Sequence, residues 1–409
     1  MVGLHPFRAL RYNPDLVSAL TPVIAPPYDV IGPQEQDQLY ASSPYNIIRL
    51  TLGKQSAADT EQDNRYTRAR RDFDAWRRAR ILIEDATPAV YPIDHVFSDG
   101  RSTQSRLGFI GLLELTEQTP QSIHRHEATL AAPKADRTKL LKAVPAHLEP
   151  IFCIYPDEGG AIQAALRAIT QRAIPTAQAA WQGNTVRLWA VSDAQVIETL
   201  RRHLSHAALL IADGHHRFEV AYAHRQRVTT LMSYFVSMAD PALVVRPIHR
   251  VQEAPLSLQQ LGALATLTPT ATLDEALAAL EQGCGQQGRF GYFDGHAFYD
   301  VTVRPERLAE WLRQPSVPQA IAMLDVSILP GMLLPPGTPL HYTADATQAV
   351  RDVREGRGHS AWLLRGIPLL QVYSLASQDQ LLPPKSTYFY PKVPSGLTMQ
   401  ALADGPRAH

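Results

Sequence analysis

The sequence predicts a mixed α/β fold, in which a mixed sheet shares its core with helices, and three observations predict it. Strand-like and helical stretches alternate along the chain without a repeat. Two Asp-Gly dipeptides, at 99–100 and 294–295, stand between strand-like runs and read as hairpin turns. The chain has 409 residues at 45% hydrophobic content, enough for a large buried core in two domains or one elaborate one.

The elements follow in order. The two prolines of PVIAPPYDVI (22–31) enforce an extended or turning path, and PQEQDQLYAS after them is a polar helix candidate. YNIIRLTLG (45–53) is expected as a strand. The stretch from about 60 to 80 is an amphipathic helix with Tyr66, Phe73 and Trp76 on its apolar side. Residues 89–115 form the first hairpin, PIFCIYP (150–156) a buried strand, AIQAALRAITQRA (161–173) a helix, and VRLWAVSDAQVIETLRRHL a strand, a turn and a helix. TTLMSYFVSMAD (229–240) and LVVRPIHRVQ (243–252) are expected as neighbouring central strands. DEALAALEQ and PERLAEWLR are helices around the second hairpin, and the proline-rich LLPPKSTYFYPKVPSGL is an ordered loop that could close a site. The expected organisation is an N-terminal α/β part (1–115), a core (116–255) and a C-terminal α/β part (256–409).

Composition excludes several classes. Lys plus Arg equals Asp plus Glu at 39 each, so no basic excess points to nucleic acid or a membrane surface. Cys153 and Cys284 lack a CxxC partner and read as ordinary residues of a reduced compartment. No stretch reaches the roughly 18 apolar residues of a membrane span, and the first residues lack an apolar leader, so the expectation is a soluble cytoplasmic protein. Only six of the 39 basic residues are lysine, and five of those fall in 126–143 and 383–392. A compact ammonium is placed there where the chain otherwise uses guanidinium.

Phosphate motifs fail or pass on context. GCGQQG (283–288) satisfies GxGxxG but follows a helix and precedes a strand, the reverse of a dinucleotide-binding turn. KST (385–387) lacks the glycines of a Walker loop. IADGHHRFEVA (211–221) differs, because AALLI before it reads as a buried strand and FEVAYAHR after it as a helix. A strand-to-helix turn offers free N–H groups and the positive end of a helix dipole to an anion. Gly214 lets backbone approach the anion, Arg217 can grip it bidentately, and His215 or His216 can donate to it. Asp213 could carry Mg²⁺ or orient a hydroxyl. The plain alternative is an Asp-Gly turn capping a helix between solvated histidines. A zinc pair lacks an HxxxH or cysteine companion. In HRHEATLAAPKADR, Glu127 beside His126 could accept a proton from an attacking hydroxyl, with Lys134, Asp136 and Arg137 close by in sequence. His124 and His126 would form a metal pair only with further ligands.

PFRALRYNP, APPYDVI, PYNIIRL, RHEATLAAPKADR, ADGHHRFEVA, HYTADA and PPKSTYFYPKVPSGL occur in the order seen in the domain-of-unknown-function 1015 family, which the chain resembles over nearly its whole length. The resemblance implies a ParB/sulfiredoxin-like α/β core with a Gly-x-x-Arg phosphate loop, matched by Gly214 to Arg217. Within that fold the chain is similar to free L-serine kinases through His126-Glu127, Arg137 to Leu141, Pro150-Ile151 and Asp213 to Arg217. The similarity implies phosphoryl transfer to free L-serine, with Glu127 as general base and Asp213 placing Mg²⁺ or the hydroxyl. Gly214, His215, His216 and Arg217 would cradle phosphate, with Lys134, Lys385 and Lys392 adding charge around the donor. His126, Arg137 and Tyr388 are the acceptor-side candidates, although the sequence does not choose the arginine for the serine carboxylate. The donor stays open among ATP, ADP and pyrophosphate. The partners are then small molecules and no nucleic acid, and the oligomeric state is not readable. The alternative is a nucleotide-binding regulatory protein of the same fold that transfers nothing.

Overall fold

The computed structural model describes residues 1–402 except 101, 158, 284 and 314–316, so Cys284 lies outside the described residues. The chain divides into two compact units. The first takes Met1–Arg125, Thr129–Leu243 and the residues from Pro391 onward, and the second takes His126–Ala128 and Val244–Tyr390. These boundaries do not coincide with the three consecutive segments expected from sequence.

The first unit is built on a nine-stranded mixed sheet. Its strands are β1 (Leu4–His5), β2 (Tyr91–Ser98), β3 (Thr103–Glu114), β4 (Ile123–His124), β5 (Ile151–Tyr155), β6 (Ala177–Trp181), β7 (Asn184–Leu188), β8 (Leu209–Asp213) and β9 (Thr230–Ser237). Their order is β4-β8-β5-β9-β3-β2-β7-β6, with β1 beside β3. β9 runs parallel to β5, and β8 antiparallel to it. The expected hairpin is β2–β3, with Gly100 at φ 93° in its turn.

Continuous apolar strands of this kind need cover on their faces. Cys153, Ile211, Phe109 and Phe235 meet Ile162 and Leu166 of α5 (Ala161–Thr170), Leu200 and Leu204 of α6 (Ala194–Leu204) and Phe218 of α7 (His215–Ala223) in one buried cluster. A second cluster gathers Leu10, Tyr12, Ile47, Ile48, Phe73, Trp76, Val144 and Met399 around α2 (Ile48–Thr51), α3 (Arg65–Arg78) and the end of α4 (Ala131–Ala143). The polar helix candidate is α1 (Pro33–Ser42), with proline at its first position.

YNIIRLTLG is not a strand, and this corrects the expectation. Asn46 is buried, donates to the carbonyls of Pro22 and Ile24, and accepts the Ile48 N–H at 2.9 Å, which starts a helical turn. Ile47, Ile48 and Leu50 are all buried, and a short apolar run reads the same in a strand or a buried helical turn.

The second unit has a six-stranded, all-antiparallel sheet of β10 (His249–Gln252), β11 (Ala265–Thr270), β12 (Arg289–Phe293), β13 (Phe298–Val303), β14 (Leu340–Thr343) and β15 (Ser360–Leu363), in the order β11-β13-β12-β15-β10-β14. The second Asp-Gly hairpin is β12–β13, with Gly295 at φ 96°. Val251, Phe293, Phe298 and Leu363 pack on α8 (Leu273–Gln282) and α9 (Ala346–Arg354). LVVRPIHRVQ therefore does not neighbour β9. Its first part, Val244–Arg246, pairs with Tyr388–Tyr390, and its second part is β10, with Pro247 between them lacking the N–H that would continue a ladder.

Candidate functional site

Asp213 ends β8 just after a register shift against β5, where the step from Ile211 to Asp213 faces the step from Cys153 to Phe152. Such a bulge re-aims the next side chain, here Asp213, at the strand end. Gly214 then takes φ 90° and opens α7. A Cβ on Gly214 would lie 2.9 Å from Ile151 Cγ2 and 3.1 Å from both Nε and Nη2 of Arg217. Glycine is thus required twice, for the left-handed backbone and for the guanidinium lying against it.

Arg217 Nη2 donates to Asp213 Oδ2 at 2.7 Å, and Nη1 donates to the Pro150 carbonyl. Its Nε is buried with no acceptor among the described residues. Lys392 Nζ pairs with Asp213 Oδ1. The three side chains are about nine-tenths buried, so two cations flank one carboxylate away from bulk solvent. This arrangement carries one net positive charge and suits an anion.

The two histidines are distinguished by their partners. His216 Nε2 accepts the Leu130 N–H at 3.0 Å, one residue before α4, while His215 is buried. Lys134 is held by Glu219 Oε2 at 3.0 Å, which also accepts from Thr129 Oγ1 at 2.7 Å. Arg137 is buried, donates to Asp136 and to the Thr51 carbonyl, and lies 3.7 Å over the Tyr28 ring. Lys134 and Arg137 thus have protein partners in the roles where donor and acceptor were expected. Arg137 and Arg217 nevertheless line one small cavity of about 50 Å³ with His147 and Glu149.

Sequence reasoning missed Glu149, Tyr28 and Ser395 as a group. Glu149 is buried, and its Oε1 accepts the Tyr28 N–H at 3.2 Å and the Ser395 hydroxyl at 2.7 Å. An acid directly before the Pro-Ile strand was the available signal.

His126, Glu127, Lys385 and Tyr388 belong to the second unit. His126 Nε2 and Thr387 Oγ1 are 2.8 Å apart, and the Glu127 carboxylate accepts the Lys385 N–H. Arg250 Nη2 donates to the Lys385 carbonyl at 2.9 Å, so both peptide groups of Lys385 are gripped by charged side chains. That grip holds a lysine at φ 62°, a left-handed conformation costing about 1–2 kcal/mol. Burial lowers the Arg250 pKa to about 10. Tyr388 sits opposite Arg246 in the two-stranded ribbon.

Mg²⁺ does not fit at Asp213 in this arrangement, because Arg217 and Lys392 take both carboxylate oxygens and a hard cation needs several oxygen ligands. No group of three or more His, Cys, Asp or Glu among the described residues could hold a metal.

Residues 4–327 match the family described as "Protein of unknown function (DUF1015)". The chain belongs to this family. No curated protein matches this DUF1015 chain. Among solved structures it is similar to a free serine kinase in complex with AMP, at 13% identity and TM-score 0.34, covering 68% of this chain and 85% of that one. It is also similar to a conserved hypothetical protein from Pyrococcus furiosus (14%, 0.36, 71% and 94%). A third is SbnI with C-terminal truncation from Staphylococcus aureus (10%, 0.37, 71% and 87%). No helix among the described residues is long and apolar enough to cross a membrane.

Proposed function

We propose that the chain is a small-molecule kinase that transfers a phosphoryl group to the hydroxyl of free L-serine, with ATP, ADP or pyrophosphate as donor. The observation that carries the reading is the left-handed Gly214 with Arg217 packed on it and Asp213 held between Arg217 and Lys392. In this reading Asp213 positions the two cations, and they hold the donor phosphate bidentately and as a point charge. Phosphoryl transfer is mostly positioning and charge neutralisation, which two fixed cations supply. The serine oxygen forms the new bond to phosphorus as the bond to the leaving phosphate breaks, and the hydroxyl proton goes to a base. Glu127 is the base that the sequence resemblance assigns, and Lys385, Tyr388 and His126 are proposed with it as donor- and acceptor-side groups.

One observation favours the second reading, a phosphate- or nucleotide-binding regulator without transfer. Both oxygens of Asp213 are engaged by cations, so neither is left to orient a hydroxyl. Incubation with L-serine, Mg²⁺ and separately ATP, ADP or pyrophosphate, read by mass detection of O-phosphoserine, separates the two. Product with any donor establishes the kinase, and binding without product in folded protein leaves the regulator. Glu127→Gln is expected to abolish turnover with donor affinity within about twofold. Retained turnover removes Glu127 from its role.

A further inference from the structure

Away from Gly214, the first unit has a pocket of about 340 Å³ between α1, the loop after α2, and α3. Five cations line it, Arg49, Lys54, Arg65, Arg68 and Arg71, against one carboxylate, Asp72. Three of the five are matched by acids of the surrounding structure: Lys54 pairs with Asp37, Arg65 with Asp136, and Arg68 with Asp59 at 2.8 Å. Arg49 and Arg71 form no ion pair among the described residues. The Nε groups of Arg49 and Arg65 are buried donors without an acceptor among those residues.

The walls are preset. Arg49 lies 4.5 Å and Lys54 4.8 Å from the centre of the Tyr40 ring, so one aromatic ring anchors two of the cations. The Arg49 guanidinium also donates to the Tyr40 carbonyl at 3.0 Å, and the Tyr40 hydroxyl accepts the Lys54 N–H at 2.9 Å. Ordering these long side chains therefore costs little when a ligand arrives.

We propose that this pocket binds a diphosphate group, at a second anion site independent of the turn at Gly214. Two guanidinium groups in no direct ion pair, with Asp72 as their one shared counter-charge in the lining, in a cavity wide enough for two linked tetrahedra, match the bidentate geometry of phosphate oxygens. The source is either inorganic pyrophosphate or the diphosphate of a nucleotide. The function proposed above is not needed for this site.

Isothermal titration of the full chain with pyrophosphate, at ionic strength held constant with sodium chloride, tests it. Wild type is expected to take up two pyrophosphates per chain. The Arg49→Gln/Arg71→Gln variant is expected to lose one of them or weaken it at least about tenfold. Asp72→Asn, which removes the one lining carboxylate and disturbs little else, is expected to tighten that same event by about threefold. Unchanged stoichiometry and affinity in the double variant overturns the site, and so does an Asp72→Asn protein that binds no more tightly. The second variant keeps the test decisive if the first fails to fold. Arg217→Gln/Lys392→Gln should retain the pocket's event and lose the other. If it loses nothing, the phosphate cradle at Gly214 fails while the pocket stands. Displacement of pyrophosphate by ADP assigns the source to a nucleotide, and its absence assigns it to the inorganic anion.

Discussion

Gly214 sets the geometry of the turn between β8 and α7, and its replacement should be felt twice. Gly214→Ala forces an L-residue to φ 90° and drives a methyl to 2.9 Å from Ile151. We expect a loss of about 2 kcal/mol in urea unfolding together with displacement of Arg217. The strand, glycine and helix were legible in IADGHHRFEVA because an apolar run stops at a residue suited to positive φ. The histidines were not separable in sequence, since adjacent side chains carry no periodic signal, and only a neighbour such as the Leu130 N–H distinguishes His216. Lys392 was found by the rarity of lysine, but its pairing with Asp213, across a large gap in sequence, was invisible. Tyr28, Glu149 and Ser395 escaped for the same reason, their bonds joining three distant segments.

At the scale of the element, α3 shows what local chemistry predicts well. Asn64 caps it, accepting from the N–H groups of Tyr66 and Thr67 while the Thr67 hydroxyl accepts the Asn64 N–H. Phe73 and Trp76 are buried as their spacing predicts, while Tyr66 is only partly buried and donates its hydroxyl to Asp136 at 2.7 Å. Asn64→Ala should lower stability by about 1 kcal/mol, as read by the midpoint of chemical unfolding, with no change in phosphate affinity at Gly214. YNIIRLTLG and LVVRPIHRVQ lacked this kind of signal, and so did LLPPKSTYFYPKVPSGL, expected as a loop, in which Tyr388–Tyr390 is a strand. YNIIRLTLG is decided by a buried asparagine whose partners lie some twenty residues earlier, and LVVRPIHRVQ by pairing with Tyr388–Tyr390 and β15.

For the whole molecule, the division into two non-consecutive units follows from strand pairing over long separations, which composition does not encode. Each unit buries a histidine that burial keeps neutral, His147 in the first and His249 in the second, both with the pKa lowered to about 4. His147 Nε2–H donates to the Thr230 carbonyl, and His249 Nδ1 accepts the Leu364 N–H. Below the ordinary histidine pKa of about 6.5 the unfolded chain binds protons that the fold refuses until about pH 4. Stability should thus be flat above pH 7 and fall through the window from 6.5 to 4, by up to about 3 kcal/mol per histidine. Chemical unfolding at stepped pH measures the slope, and His147→Gln should make it shallower. Both the kinase and the regulator require that the cations at Gly214 hold phosphate. This requirement is tested most directly by pyrophosphate titration of wild type against Arg217→Lys, a change that keeps the charge and removes the planar fork. An affinity at least about tenfold weaker at one site is expected in folded Arg217→Lys protein, and equal affinity at every site would contradict phosphate binding at Gly214.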